Sequence, residues 1–187
     1  MNPTGLREMI RAAPDTGSAH RIQTRNVCAR AQGLFGVKVF DVQDPAHPQL
    51  AETLSTGGVA LAVEIAGSTL YVGDMDRKVT VLSLADSSPE RLGEVPLSGT
   101  PVAMRVYGST LLVGEVGLVS GLKCMAGISC WPPKTVEVFD VSHPDSPVHE
   151  GDFSFAEARL LFAGLSSDLF ITRDAGGVSI LSAEVQP

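Results

Sequence analysis

The residues able to do chemistry gather in a few short segments. Asp74, Asp76 and Arg77 share one polar turn, Arg173 and Asp174 another, and Arg30 with Gln32 a third. Glu115 opens a long stretch that carries Cys124, Cys130 and Trp131. Asp74 and Asp76 could lend oxygens to Ca²⁺, but that ion takes about six to eight ligands, so the pair reads as a solvated acidic turn and no metal site is expected. Of the four histidines, His47 and His143 sit in Pro-bounded turns, leaving His20 and His149. Ser55, Ser87 and Ser98 lie in turns with no fixed base partner. The chain contains no His-Glu-x-x-His, Gly-x-Ser-x-Gly, phosphate loop or Cys-x-x-Cys, so no cofactor and no catalytic residue is assigned. A Cys124–Cys130 bridge is feasible in an oxidising compartment, and two free thiols in a reducing one. Cys28 reads as a small buried hydrophobe.

What positions these groups is an internal repeat. Gly67-Ser-Thr-Leu-Tyr-Val-Gly-Asp74 returns as Gly108-Ser-Thr-Leu-Leu-Val-Gly-Glu115, a step of 41 residues. Weaker echoes surround Cys28 and Phe170. A second module, Val37-Lys-Val-Phe-Asp-Val42, returns at Val79, Val136 and Val178. Its first and third copies continue alike, as Asp44-Pro-Ala-His-Pro48 and His143-Pro-Asp-Ser-Pro147. Four copies with a period of about 42 residues account for nearly the whole chain.

Each copy reads as four short antiparallel strands. In the second these are residues 61–65, 70–72, 79–84 and 91–97, separated by Gly, Pro, Ser and Asp punctuation. Four strands per repeat of about 40–45 residues is the blade of a β-propeller. The expectation is therefore an all-β, four-bladed β-propeller forming one domain over 1–187. Blade 1 covers about 15–56, blade 2 about 57–98, blade 3 about 99–156 with an insertion at 116–134, and blade 4 about 157–185. A strand at 5–13 would complete the last blade and hide both sheet edges. The alternative is a partial propeller that closes by dimerisation, so the chain is a monomer or a homodimer. Val37, Val39, Val79, Val81, Val136, Val138, Val178 and Ile180 should pack between blades, and His20, Glu64 and Arg105 are candidates to line the channel.

Composition narrows the classes of partner. The 187 residues carry 14 Lys+Arg against 21 Asp+Glu, a formal charge of −7, which offers no electrostatic reason to bind nucleic acid. No apolar run is long enough to span a membrane, and the first 20 residues hold no apolar signal core.

The units Gly36-Val-Lys-Val-Phe-Asp-Val-Gln-Asp-Pro45 and Thr135-Val-Glu-Val-Phe-Asp-Val-Ser-His-Pro144 resemble those of LVIVD-repeat propellers, as does Asp15-Thr-Gly-Ser-Ala-His20. The resemblance covers nearly the whole chain and is weaker where Ser83 and Ser182 replace the Asp. It implies a propeller without an assigned catalytic activity, in a family largely secreted or at the cell surface, although no signal peptide is present here. The expected function is non-catalytic binding or scaffolding of a protein partner. The expected contact face is the one bearing the insertion, with Asp74, Asp76, Arg77, Glu115, Trp131, Arg173 and Asp174 as candidate contacts. The alternative is a hydrolase or lyase with a carboxylate-lined mouth.

Overall fold

β-Branched residues alternating along short segments, with Gly, Asp and Pro between them, favour strands joined by tight turns. The computed structural model describes residues 23–24, 27–86, 89–116, 135–154, 159–161, 170–174 and 177–181, with side chains at 27–86, 89–116 and 135–152. These backbone segments form four antiparallel sheets, each a simple meander. The first contains β1 (Gln23–Thr24), β2 (Val27–Ala31), β3 (Val37–Asp41) and β4 (Gln49–Leu54). The second contains β5 (Ala60–Ala66), β6 (Thr69–Asp74), β7 (Lys78–Ser83) and β8 (Glu90–Pro96). The third contains β9 (Thr100–Tyr107), β10 (Thr110–Val116), β11 (Thr135–Asp140) and β12 (Val148–Ser154). β13 (Arg159–Leu161), β14 (Phe170–Asp174) and β15 (Gly177–Leu181) make the fourth. The architecture is a β-propeller-like repeat.

The sheets meet face to face through alternate side chains of their middle strands. Ala29, Ala31, Val37 and Val39 of the first sheet pack against Leu70 and Val72 of the second. The opposite face of the second sheet presents Tyr71, Val79, Val81 and Val95 to Leu111, Val113, Phe139 and Val141 of the third. The same side-chain positions recur one repeat later, and this is the physical meaning of the period. Val138 is only partly buried, against Leu112 and Val136. The side chains of Val178 and Ile180 lie outside the described residues, as do the strand expected at 5–13 and residues 117–134 of the insertion expected at 116–134, whose Val116 belongs to the third sheet.

The Phe-Asp-Val module is a strand followed by an Asx turn. The Gln43 N–H donates to Asp41 Oδ1 at 2.8 Å, and the Ser142 N–H donates to Asp140 Oδ1 at 2.8 Å. Ser83 does the same task where the Asp is missing, its Oγ accepting from the Ala85 N–H at 3.2 Å. At the opposite end, the start of the first strand, the end of the second, the start of the third and the end of the fourth come together. The pairs Ala60↔Asp74, Asp74↔Lys78 and Lys78↔Pro96 fix this in the second sheet. This connection end also carries the links from sheet to sheet.

Because the inter-sheet layer is closely packed, truncation there should leave a cavity. Leu111→Ala is expected to cost about 3 kcal/mol in urea unfolding, whereas the exposed Leu50→Ala should cost under about 0.5 kcal/mol. Equal losses at both positions would contradict face-to-face packing.

Candidate functional site

At the connection end the second and third sheets each bury a carboxylate at the close of the second strand. Asp74 pairs with Lys78 inside the β6–β7 ladder and is fully buried. This corrects the reading of a solvated acidic turn: the turn proper is Met75-Asp76-Arg77, and Asp74 precedes it. Its Oδ1 accepts from the Thr56 hydroxyl at 2.8 Å and its Oδ2 from the Thr80 hydroxyl at 3.2 Å. Burial, only partly offset by the Thr56 bond, pushes the Asp74 carboxyl up to about 6. Asp76 and Arg77 are exposed. Asp76 pairs with Lys78 at 3.3 Å, and Arg77 holds a left-handed backbone with φ 63°.

Glu115 occupies the corresponding place in the third sheet, only 1% exposed. Its Oε2 accepts from the Ser98 hydroxyl at 2.8 Å. The Ser98 N–H donates to Glu137 Oε1, also at 2.8 Å. A Cβ at Gly99 would lie 2.9 Å from Glu115 Oε2 and 3.0 Å from the Val116 carbonyl oxygen, so a larger residue would displace this acid. Glu137 takes the position of Thr80, so a second acceptor stands where the second sheet has a donor. Burial pushes the Glu115 carboxyl up to about 7; the Ser98 bond offsets part of this, and the neighbouring Glu137, by its charge and by a hydrogen bond within the acid pair, adds to the rise. His149 stands with Nε2 3.9 Å from Glu137 Oε2 and its ring edge-on to Phe139 at 5.1 Å.

Ser98, Glu137 and His149, but not Glu115, border a cleft of about 360 Å³ between the outer strands of the second and third sheets. It is lined by Val95, Pro96, Ser98, Glu137, Phe139, Pro147 and His149. Sequence reasoning missed Glu137 and His149, and treated Ser98 as a lone turn serine. Aligning the copies strand by strand would have exposed Glu137 as a carboxylate in a hydroxyl position.

The inner strands carry a separate polar link. Glu64 on β5 is buried; its Oε1 accepts from the Val106 N–H at 3.1 Å, and its Oε2 lies 3.6 Å from Arg105 Nη1. Burial outweighs both contacts and raises the Glu64 carboxyl to about 7. Arg30, expected beside a turn, is buried on β2. His20, Cys124, Cys130 and Trp131 lie outside the described residues, as do the side chains of Arg173 and Asp174. By backbone register Asp174, opposite Gly177, matches Asp74 opposite Lys78. Among the described residues no three His, Cys, Asp or Glu side chains converge as metal ligands, and no helix is long and apolar enough to cross a membrane.

The same end displays apolar side chains. The β2–β3 turn projects Leu34 and Phe35, 76% and 77% exposed. The turn is held by hydrogen bonds from Gln32 N–H to Gly36 O at 2.8 Å and from Phe35 N–H to Gln32 O at 3.1 Å. Paired bonds between Gly33 and Ala60, both 3.0 Å, tie it to the second sheet. Gly36 has φ +72°, and a Cβ there would meet the Leu54 carbonyl oxygen.

No family model and no curated protein sequence matches this chain. Solved structures of similar fold exist at low identity. The computationally designed Ika8 protein aligns with a TM-score of 0.60 and 12% identity, over 87% of this chain and 45% of its own. The designed Ika4 protein aligns at 0.61 and 13%, over 91% of this chain and 94% of its own. BamB from Moraxella catarrhalis aligns at 0.59 and 15%, over 90% of this chain and 45% of its own. The chain thus spans under half of Ika8 and BamB and nearly all of Ika4.

Three buried acids with raised values give the pH dependence a definite sign. Between the unfolded carboxyl values of about 4 and the folded ones, the native state binds more protons than the unfolded chain. Stability should therefore fall as pH climbs through the folded values of Asp74, about 6, and Glu64, about 7. A melting-temperature series should show this decline from about pH 5 to about pH 8, and Glu64→Gln should flatten part of it. A profile rising over that window would contradict the burial of these acids.

Proposed function

We propose that this chain is a non-catalytic binding or scaffolding β-propeller of the LVIVD-repeat type that engages a protein partner through the connection end of its sheets. The observation that carries the reading is the exposed Leu34–Phe35 pair, held on a hydrogen-bonded turn at the same end as the insertion root. Apolar and aromatic groups on a rigid scaffold are the usual anchors of protein contacts. The insertion adds Leu118, Leu122, Met125 and Trp131 with a single charge, Lys123, before Pro132-Pro133.

Ser98 donates a hydrogen bond to Glu115, while His149 stands 3.9 Å from Glu137, beyond hydrogen-bond reach, so among the described residues no Ser-His pair is assembled. The alternative hydrolase or lyase reading draws on the Glu115–Glu137 pair, where one acid could serve as a proton donor.

The proposal includes a ring of four blades closed by residues 5–13 beside 178–183. Its support is that both end faces of the described sheets are apolar and covered, with Val42 1% and Leu112 4% exposed. The full chain should then run as a monomer in size-exclusion chromatography, and removing residues 1–14 should shift it to larger species. A dimer of the full chain would replace the single ring with closure by dimerisation.

For function, Phe35→Ser and Trp131→Ala should each reduce capture of the protein's partner in quantitative affinity enrichment. Each should change stability by no more than about 0.5 kcal/mol. Equal capture by both variants and the parent would overturn the binding face. Ester or glycoside turnover that is abolished by Glu137→Gln would favour the enzyme.

A further inference from the structure

We propose that the outer face of the first sheet binds a dianionic phosphate group between Arg30 and Lys38, with Thr53 as a further donor. The proposal is independent of the insertion, of Leu34–Phe35 and of the acids in the third sheet.

Strand alternation separates the two faces of this sheet. Ala29, Ala31, Val37 and Val39 turn toward the second sheet, so Cys28, Arg30, Lys38 and Phe40 turn the other way. Arg30 stands directly opposite Lys38 in the β2–β3 ladder. Lys38 in turn stands opposite Thr53 in the β3–β4 ladder. Side chains opposite one another share a face, with their Cβ atoms about 5 Å apart. A guanidinium, an ammonium and a hydroxyl therefore form one row across three strands.

Among the described residues this row has no anion. Arg30 is only 8% exposed, and its Nε has no hydrogen-bond partner. The ion pairs of the described residues use Lys78, Arg91, Arg105 and histidines, never Arg30 or Lys38. Like charges directly opposite repel, and a buried cation without an acceptor is costly. The fold itself does not demand this arrangement. The matching row of the second sheet is Val72, Thr80 and Glu94. That of the third is Val113, Glu137 and Asp152. Of these three sheets, the first alone places two cations there.

The donors select the anion. A dianion balances an arginine and a lysine together, whereas a carboxylate leaves one of them uncompensated. The planar fork of a guanidinium matches two oxygens of a phosphate, and the ammonium adds a point charge. Exposure rises along the row, from buried Arg30 through partly exposed Lys38 to exposed Thr53, so an anion can enter from the β4 side. The phosphate could be the free inorganic ion or the head of a small monoester.

The full isotope-labelled chain can be titrated at about pH 7.5, where phosphate monoesters are dianionic. Inorganic phosphate, glycerol phosphate, acetate and chloride would be compared at one ionic strength, following the Arg30 Nε–H and Lys38 amide signals by NMR. Both phosphates should shift these signals saturably, and acetate and chloride should bind at least about tenfold more weakly. Phosphate at about ten times its Kd should raise Tm by about 3–5 °C. Lys38→Gln should weaken phosphate binding by about tenfold or more, and Arg30→Met should abolish it. A tighter glycerol phosphate identifies a monoester as the ligand, and a tighter inorganic phosphate identifies the free ion. Should Arg30→Met not fold, Lys38→Gln and the anion comparison on the parent protein decide. No saturable shift with either phosphate, acetate binding as tightly as phosphate, or unchanged affinity in Lys38→Gln would overturn the proposal.

Discussion

Every described sheet with a full set of side chains is apolar on both faces, and the rest of the structure depends on that. In the second sheet Leu70 and Val72 face the first sheet while Tyr71, Val79 and Val81 face the third. A sheet of this kind cannot stop with one face in water, because burial of apolar surface is the main favourable contribution to folding. Cys28, Phe40 and Val42 on the outer face of the first sheet pose the same demand as Leu112, Val136 and Val138 on the third. Both of these end faces are covered, with Val42 1% and Leu112 4% exposed, and the proposed closing of the row would satisfy both at once.

The same two-sided burial explains the acids. A strand whose faces are both covered carries its last residues into the dry layer, so Asp74 and Glu115 are enclosed although each follows a Gly and precedes a turn or insertion. Hydroxyls then have to replace water as donors, which Thr56, Thr80 and Ser98 do. Where a donor is exchanged for Glu137, two acids meet, and the Glu115 carboxyl is raised to about 7, so that the pair can share a proton. Glu64 meets the same problem between the inner strands and solves it with a backbone N–H and a half-exposed arginine.

The repeat made the strand order and the inter-sheet valines legible, because spacing and alternation are properties of the sequence alone. Ser83 could also have been recognised as a substitute for Asp, since both side chains cap the turn two residues on. The burial of Asp74 was not legible: Gly-Asp beside Met-Asp-Arg has the composition of an exposed turn, and only strand register decides that Asp74 belongs to the ladder. Glu137 was hidden by the same limit, as its meaning lies in its cross-sheet neighbours Ser98 and Glu115. Leu34 and Phe35 gave no signal in the sequence, being two apolar residues between apolar strands, yet they ride on a turn with Gly33 and Gly36 at positive φ and stand exposed.

The two ends of the sheets differ in how strongly the fold dictates their sequence. At the Asx-turn end the first and third sheets repeat one solution, with Asp41 and Asp140 each capping the residue two positions on, and the second sheet finds a near equivalent in Ser83. At the connection end the three copies share only the backbone path. One carries an exposed apolar turn, one a short Met-Asp-Arg turn, and one an insertion whose excess over its counterpart is 16 residues. All copies answer to the same packing demands, so divergence confined to one end marks the part that packing leaves free. The groups whose placement the fold does not explain, Leu34, Phe35, and Glu137 beside Glu115, all belong to that end. The physics that fixes the scaffold therefore also locates the surface on which a specific function can be built.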